Sequence, residues 1–146
     1  MIHWNNLSAL EKTDLWRQER ENLKKLNYVD RLQSLSTFFS HVPYGSRTID
    51  YYTPSNWLSP WEILHYGTFC RSSISLLMFH TLTIVDPEIN IKLSLIDDKE
   101  DIFLVVVVDD TFVLGYIPGE VVKLTKIKKS VQIKQTFQNE QIKTFA

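Results

Sequence analysis

Residues Ser59–Leu82 read SPWEILHYGTFCRSSISLLMFHTL and carry the chain's only cysteine. Ser59 can cap a helix, Pro60 suits its first position because the N–H it lacks would go unpaired there, and Glu62 completes a capping box. Gly67 ends this short helix near Tyr66, and Thr68 can open a second one whose stripe includes Cys70, Ile74, Leu77, Met78 and Thr81. Asp86-Pro87 stops it. Cys70 therefore stands at the head of an apolar helix, where the partial positive charge of the N-terminus favours a thiolate.

Downstream the period changes from helical to alternating. Ile89, Ile91, Leu93 and Leu95 share one face and Asn90, Lys92 and Ser94 the other, the pattern of a half-buried strand. The stretch Ile102–Val108, IFLVVVV, is apolar on both faces, which predicts a central strand. Thr111–Tyr116, Glu120–Ile127 and Val131–Phe137 follow as strands, with Pro118-Gly119 in a type II turn and Lys128-Lys129-Ser130 turning the last hairpin. Upstream, Ser8 and Glu11 form a capping box for a helix running to Leu26, with Leu10, Leu15, Leu23 and Leu26 at helical spacing. Asn27 caps a second helix with Asp30 in its first turn and Tyr28, Leu32, Leu35 and Phe39 on one face. Helices first and strands second predict an α+β domain. One domain spans 1–146: a helical part over 1–42, a helical pair carrying Cys70 over 57–84, and an antiparallel sheet over 88–138. The cysteine helix is expected to pack on a β-meander of about five strands.

The composition fits one self-sufficient domain. The chain has 146 residues, 44% of them hydrophobic and 23% charged, and a domain of this size buries roughly 70% of its unfolded surface. A formal net charge of −1 and a pI near 6.4 argue against an electrostatic grip on nucleic acid, whose binding draws on phosphate neutralisation. The apolar run at 102–108 is far shorter than the roughly 20 residues of a membrane span, so no membrane is expected. The start, MIHWNNLSALEKTD, lacks the basic and apolar regions of a secretory signal, and a lone cysteine cannot form an intramolecular disulfide. A cytosolic or virion-type setting is expected.

A cysteine heading a core helix that is followed by antiparallel strands resembles the transglutaminase-like branch of the papain-like fold. The resemblance implies Cys70 as nucleophile, a histidine base near Asp101 and an orienting aspartate near Gly115 or Tyr116. Neither partner is present at those positions. His65, on the preceding short helix, is the remaining candidate base, while His80 lies ten residues down the same helix, roughly 15 Å along its axis. The stretch also resembles small tailed-bacteriophage proteins sharing a YYTP...W..PWE...TL pattern. Together the two resemblances cover about Tyr51 to Tyr116. They imply a degenerate fold, a pseudoenzyme that acts as a phage structural or assembly protein. Its partners would be other virion or assembly proteins, and it could form an oligomer. The alternative is a cysteine-dependent hydrolase or acyltransferase.

Other constellations carry less. Four histidines and one cysteine without HxxxH or CxxC spacing predict no metal site, and four dispersed glycines no phosphate cradle, so no cofactor is expected. Asp97, Asp98, Glu100 and Asp101, with Asp109 and Asp110, read as two separate acidic turns. Lys123, Lys126, Lys128, Lys129 and Lys134 form a basic patch that a sheet edge would explain. The aromatic candidates for binding are Trp4, Trp16, Tyr51, Tyr52, Trp57 and Trp61, because tryptophan and tyrosine favour interfaces. Trp4 and Trp16 are expected at a partner surface, and Trp57 and Trp61 to brace the 41–56 loop against the Cys70 helix.

Overall fold

The computed structural model describes residues 2–45, 49–66 and 68–142. Among them, four α-helices precede five strands: α1 (Ala9–Lys24), α2 (Tyr28–Phe38), α3 (Pro60–His65), α4 (Arg71–Val85), β1 (Ile91–Asp97), β2 (Ile102–Val108), β3 (Phe112–Leu114), β4 (Val121–Lys123) and β5 (Gln132–Phe137). The fold is α+β. The helix starts follow from local capping chemistry. Glu11 N donates to Ser8 Oγ at 3.2 Å while Ser8 N donates to Glu11 Oε1 at 3.0 Å. Ser59 and Glu62 repeat the exchange at α3, and Asp30 N donates to Asn27 Oδ1 at 2.9 Å ahead of α2. Gly67, the expected break after α3, lies outside the described residues.

The sheet is antiparallel throughout, in the order β4-β3-β2-β1-β5. β2 is central, and its two apolar faces serve two clusters. Leu104, Val106 and Val108 enter the main core with α4; Phe103, Val105 and Val107 form a second cluster with Ile96 and Val113 on the opposite face. The meander expected of five strands holds for the first four only. β5 returns to pair with β1 at the far edge, so Lys128-Lys129-Ser130 does not turn a hairpin. The connection over 124–131 crosses the outer apolar face instead, laying Leu124, Ile127 and Val131 on the second cluster. Four strand spacings amount to roughly 19 Å, which eight residues can bridge.

α4 is the core of the molecule. Every residue from Ser72 to Leu82 is buried, as befits a helix covered on all sides. Its serine and threonine hydroxyls fix it in place: Leu104 N donates to Ser72 Oγ at 3.0 Å, and Trp16 Nε1 donates to Thr81 Oγ1 at 2.9 Å. The expected partner surface at Trp4 and Trp16 is therefore corrected. Trp16 is 0% exposed and Trp4 2%, the latter enclosed by Phe38, Phe39 and Phe69 at ring separations of 5.5 to 5.9 Å. Large aromatic rings on an inward stripe release more free energy by burial than any exposed contact offers.

His80 is buried in α4, edge-on to Phe79 at 5.6 Å. Burial pushes its imidazole down from its ordinary value of 6.5 to about 4. Between those values the unfolded state binds the proton and the folded state does not, so stability should fall as the pH drops through this window. The slope contributed is at most about 1.4 kcal/mol per pH unit. Urea midpoints at pH 7, 5.5 and 4.5 should show this decline in the native protein, and His80→Leu should flatten it.

Candidate active-site cleft

Cys70 caps α4 from outside it. Its backbone is extended, with φ −115° and ψ 167°, and Ser73 N donates to its Sγ at 3.3 Å while Cys70 N donates to Ser73 Oγ at 3.0 Å. The expected cap at Thr68 is displaced because the backbone there is committed elsewhere. Gly45 N donates to Phe69 O at 2.7 Å and Phe69 N to Pro43 O at 3.3 Å, a bridge between Tyr44 and Phe69 that delays the helix until Cys70.

A cleft of about 460 Å³ opens beside the thiol, lined by Tyr44, Tyr51, Cys70, Arg71, Asp101 and Phe103 among others. Cys70 is 7% exposed. Arg71 spans the cleft's sheet side. Its Nη2 donates to Tyr116 O at 2.6 Å, and its guanidinium lies 3.4 Å above the Phe103 ring. These contacts offset the unfavourable position of a cation in the first turn of a helix. Burial pushes the Tyr44 phenol up, while the Arg71 charge opposes that rise and Cys70 adds to it. The 97–101 turn forms the far wall. Asp101 N donates to Asp98 Oδ1 at 2.8 Å and Glu100 N at 3.0 Å; the Asp101 amide above all, with smaller help from Glu100 and Arg71, holds the Asp98 carboxyl below its ordinary value. The Asp101 carboxylate is turned back on its own strand, accepting from Ile102 N at 2.8 Å.

The expected site positions separate cleanly. Asp101 shares the cleft with Cys70, so the place implied for a base is occupied by a carboxylate. No described histidine lines this cleft. His65 stands on α3 with Nε2 3.0 Å from Thr13 Oγ1 of α1, and His80 is enclosed by the core. Of the two places implied for the orienting carboxylate, Gly115 is closed. A Cβ at Gly115, whose φ is +86°, would come within 2.3 Å of Ser75 Oγ, and the carbonyl of neighbouring Tyr116 is engaged by Arg71.

The aromatic candidates also divide. Tyr51 lines the cleft and Tyr52 is 59% exposed, their rings edge-to-face at 6.2 Å. Trp57 Nε1 donates to Asp50 O at 2.6 Å and its ring meets Phe137 at 5.0 Å, pinning the loop to β5. Trp61 packs edge-on against Trp16 at 5.6 Å, joining α3 to α1. Sequence reasoning passed over Arg71 and Tyr44 as cleft residues. The signal for Arg71 was its place: a lone cation in the first turn of an apolar helix needs compensating partners.

Among the described residues, no group of three or more histidine, cysteine, aspartate or glutamate side chains is placed to hold a metal ion, and no helix is long and apolar enough to cross a membrane. A cysteine at the head of a buried helix with an antiparallel sheet behind it is the arrangement that the transglutaminase-like resemblance implies. In fold the chain is similar to the solved structure of LapG of Legionella pneumophila at TM-score 0.72 and 15% identity, covering 90% of this chain and 76% of that one. The EGTA-treated form gives TM-score 0.71 at 15% identity, covering 89% and 74%, and the calcium-bound form 0.66 at 15%, covering 92% and 86%. No family profile and no curated protein matches the sequence.

Proposed function

We propose that the chain is a transglutaminase-like module without acyl-transfer activity, acting through protein contacts in a phage particle or its assembly. The supporting observation is Asp101 in the cleft at the place of the base. A carboxylate, with an ordinary value near 3.9, is a poor proton acceptor for a thiol near 8.5. General-base assistance contributes about 10²- to 10⁴-fold, and a triad loses most of its rate when one member goes. The phage setting rests on the YYTP...W..PWE...TL resemblance.

Sedimentation of purified particles carrying a tagged chain tests this reading. Native chain and Cys70→Ala should be incorporated equally and give equal particle yields. A chain missing from particles removes the assembly role, and a folded Cys70→Ala protein that abolishes infectivity overturns the non-catalytic one. One observation favours a second reading, a cysteine hydrolase or acyltransferase: Cys70 Sγ accepts a helix N-terminal amide inside a cleft, as a nucleophile would.

A further inference from the structure

The sheet face turned away from α4 is only partly covered. Leu124, Ile127 and Val131 of the crossing connection rest on Ile96, Val105, Val107 and Val113. Between them lies an apolar cavity of about 220 Å³, walled in part by Val105, Val113, Ile127, Lys128 and Ile133. Ile133 is 62% exposed at its margin. Small-molecule sites run from about 300 to 1,000 Å³, so this cavity is sized for one large side chain.

The chain segment that supplies its outer wall carries one sign of charge. Residues 121–139 include Lys123, Lys126, Lys128, Lys129 and Lys134 and no aspartate or glutamate, in a chain whose formal net charge is −1. Lys134 has Asp97 at 4.0 Å; the other four form no ion pair among the described residues. Guarding a sheet edge accounts for Lys123 on β4 and Lys134 on β5. It does not account for Lys126, Lys128 and Lys129, which stand on the connection that crosses the apolar face.

We propose that this face docks an acidic segment of a partner protein, which inserts one leucine or phenylalanine side chain into the cavity while its carboxylates meet Lys126, Lys128 and Lys129. An apolar anchor in a pocket with a charged rim is the arrangement that supplies affinity at the centre and steering at the margin. The proposal rests on the reading of the chain as a contact module, but it does not use Cys70, so the two fail separately.

The test is selection from a display library of nine-residue peptides with central leucine or phenylalanine and flanks of aspartate, glutamate, serine and glycine. Selected peptides, fluorescein-labelled, are then titrated by anisotropy. Binding should weaken about tenfold or more with the central residue changed to alanine, with Lys128→Glu/Lys129→Glu, and with Ile133→Lys. It should also weaken at high salt and be unchanged in Cys70→Ala. Lys128, Lys129 and Ile133 are exposed, and urea midpoints confirm folding of each variant. No enriched peptide, or binding indifferent to these substitutions, overturns the proposal. So does occupation of the face by something else: decanoate, a 20-nucleotide single strand, or a second copy of the chain in a dimer that Ile133→Lys dissolves.

Discussion

Gly115→Ala should destabilise the fold by about 2 to 5 kcal/mol, the sum of overpacking and left-handed backbone strain. The added Cβ would lie 2.3 Å from Ser75 Oγ, and Ser75 is 0% exposed in the most deeply packed helix, so it has no room to step aside. A φ of +86° adds strain that any side chain meets. Ser75→Ala should relieve the first part alone, because the remaining Ser75 Cβ stands at 3.5 Å, an ordinary contact. The double variant Ser75→Ala/Gly115→Ala should therefore recover all but about 1 to 2 kcal/mol of the loss. A Gly115→Ala protein within 1 kcal/mol of native would mean that the position is open. The consequence for function is direct. An aspartate at 115 needs the same Cβ, so no single substitution there restores an orienting carboxylate.

The parts of the fold legible in the sequence are those decided by near neighbours. Ser8 with Glu11, Asn27 with Asp30 and Ser59 with Glu62 each settle a helix start within four residues, and the double-faced apolar run at 102–108 settles the central strand. Long-range decisions were hidden. The pairing of Tyr44 with Phe69 moves the cap of α4 from Thr68 to Cys70, and nothing local to Thr68 announces it. The inward stripe of α1 is Lys12, Trp16, Glu19 and Leu23; of the leucines read as one face Leu23 belongs to it, whereas Leu10 is 71% exposed, and the preference of tryptophan for interfaces does not separate a core ring from a surface one. The fifth strand was misplaced for a different reason. A Lys-Lys-Ser turn serves a hairpin and a crossover equally, but Leu124, Ile127 and Val131 do not alternate as a strand would. Their spacing is that of a segment laid over the apolar face of β2.

At the site, the sequence located the thiol and the two empty partner positions through the resemblance. It could not supply the cleft between Cys70 and Asp101, because that depends on how the 97–101 turn folds over the start of α4. Nor could it show that Gly115 is sealed by Ser75, a contact between a helix and a loop forty residues apart in the chain.

No described histidine lines the Cys70 cleft, and the pH–rate profile of Cys70 alkylation by iodoacetamide in the folded protein tests most directly whether an imidazole activates the thiol. A thiol paired with imidazole stays reactive far into the acid range, since the ion pair persists between the two groups' titrations. A thiol that no imidazole activates loses about tenfold in rate for each pH unit below its single ionisation. For a thiol near 8.5, a profile with one step is expected, with a rate at pH 5 about 10³-fold below that at pH 8. A two-step profile with a plateau reaching pH 5 would contradict it and return Cys70 to the role of nucleophile.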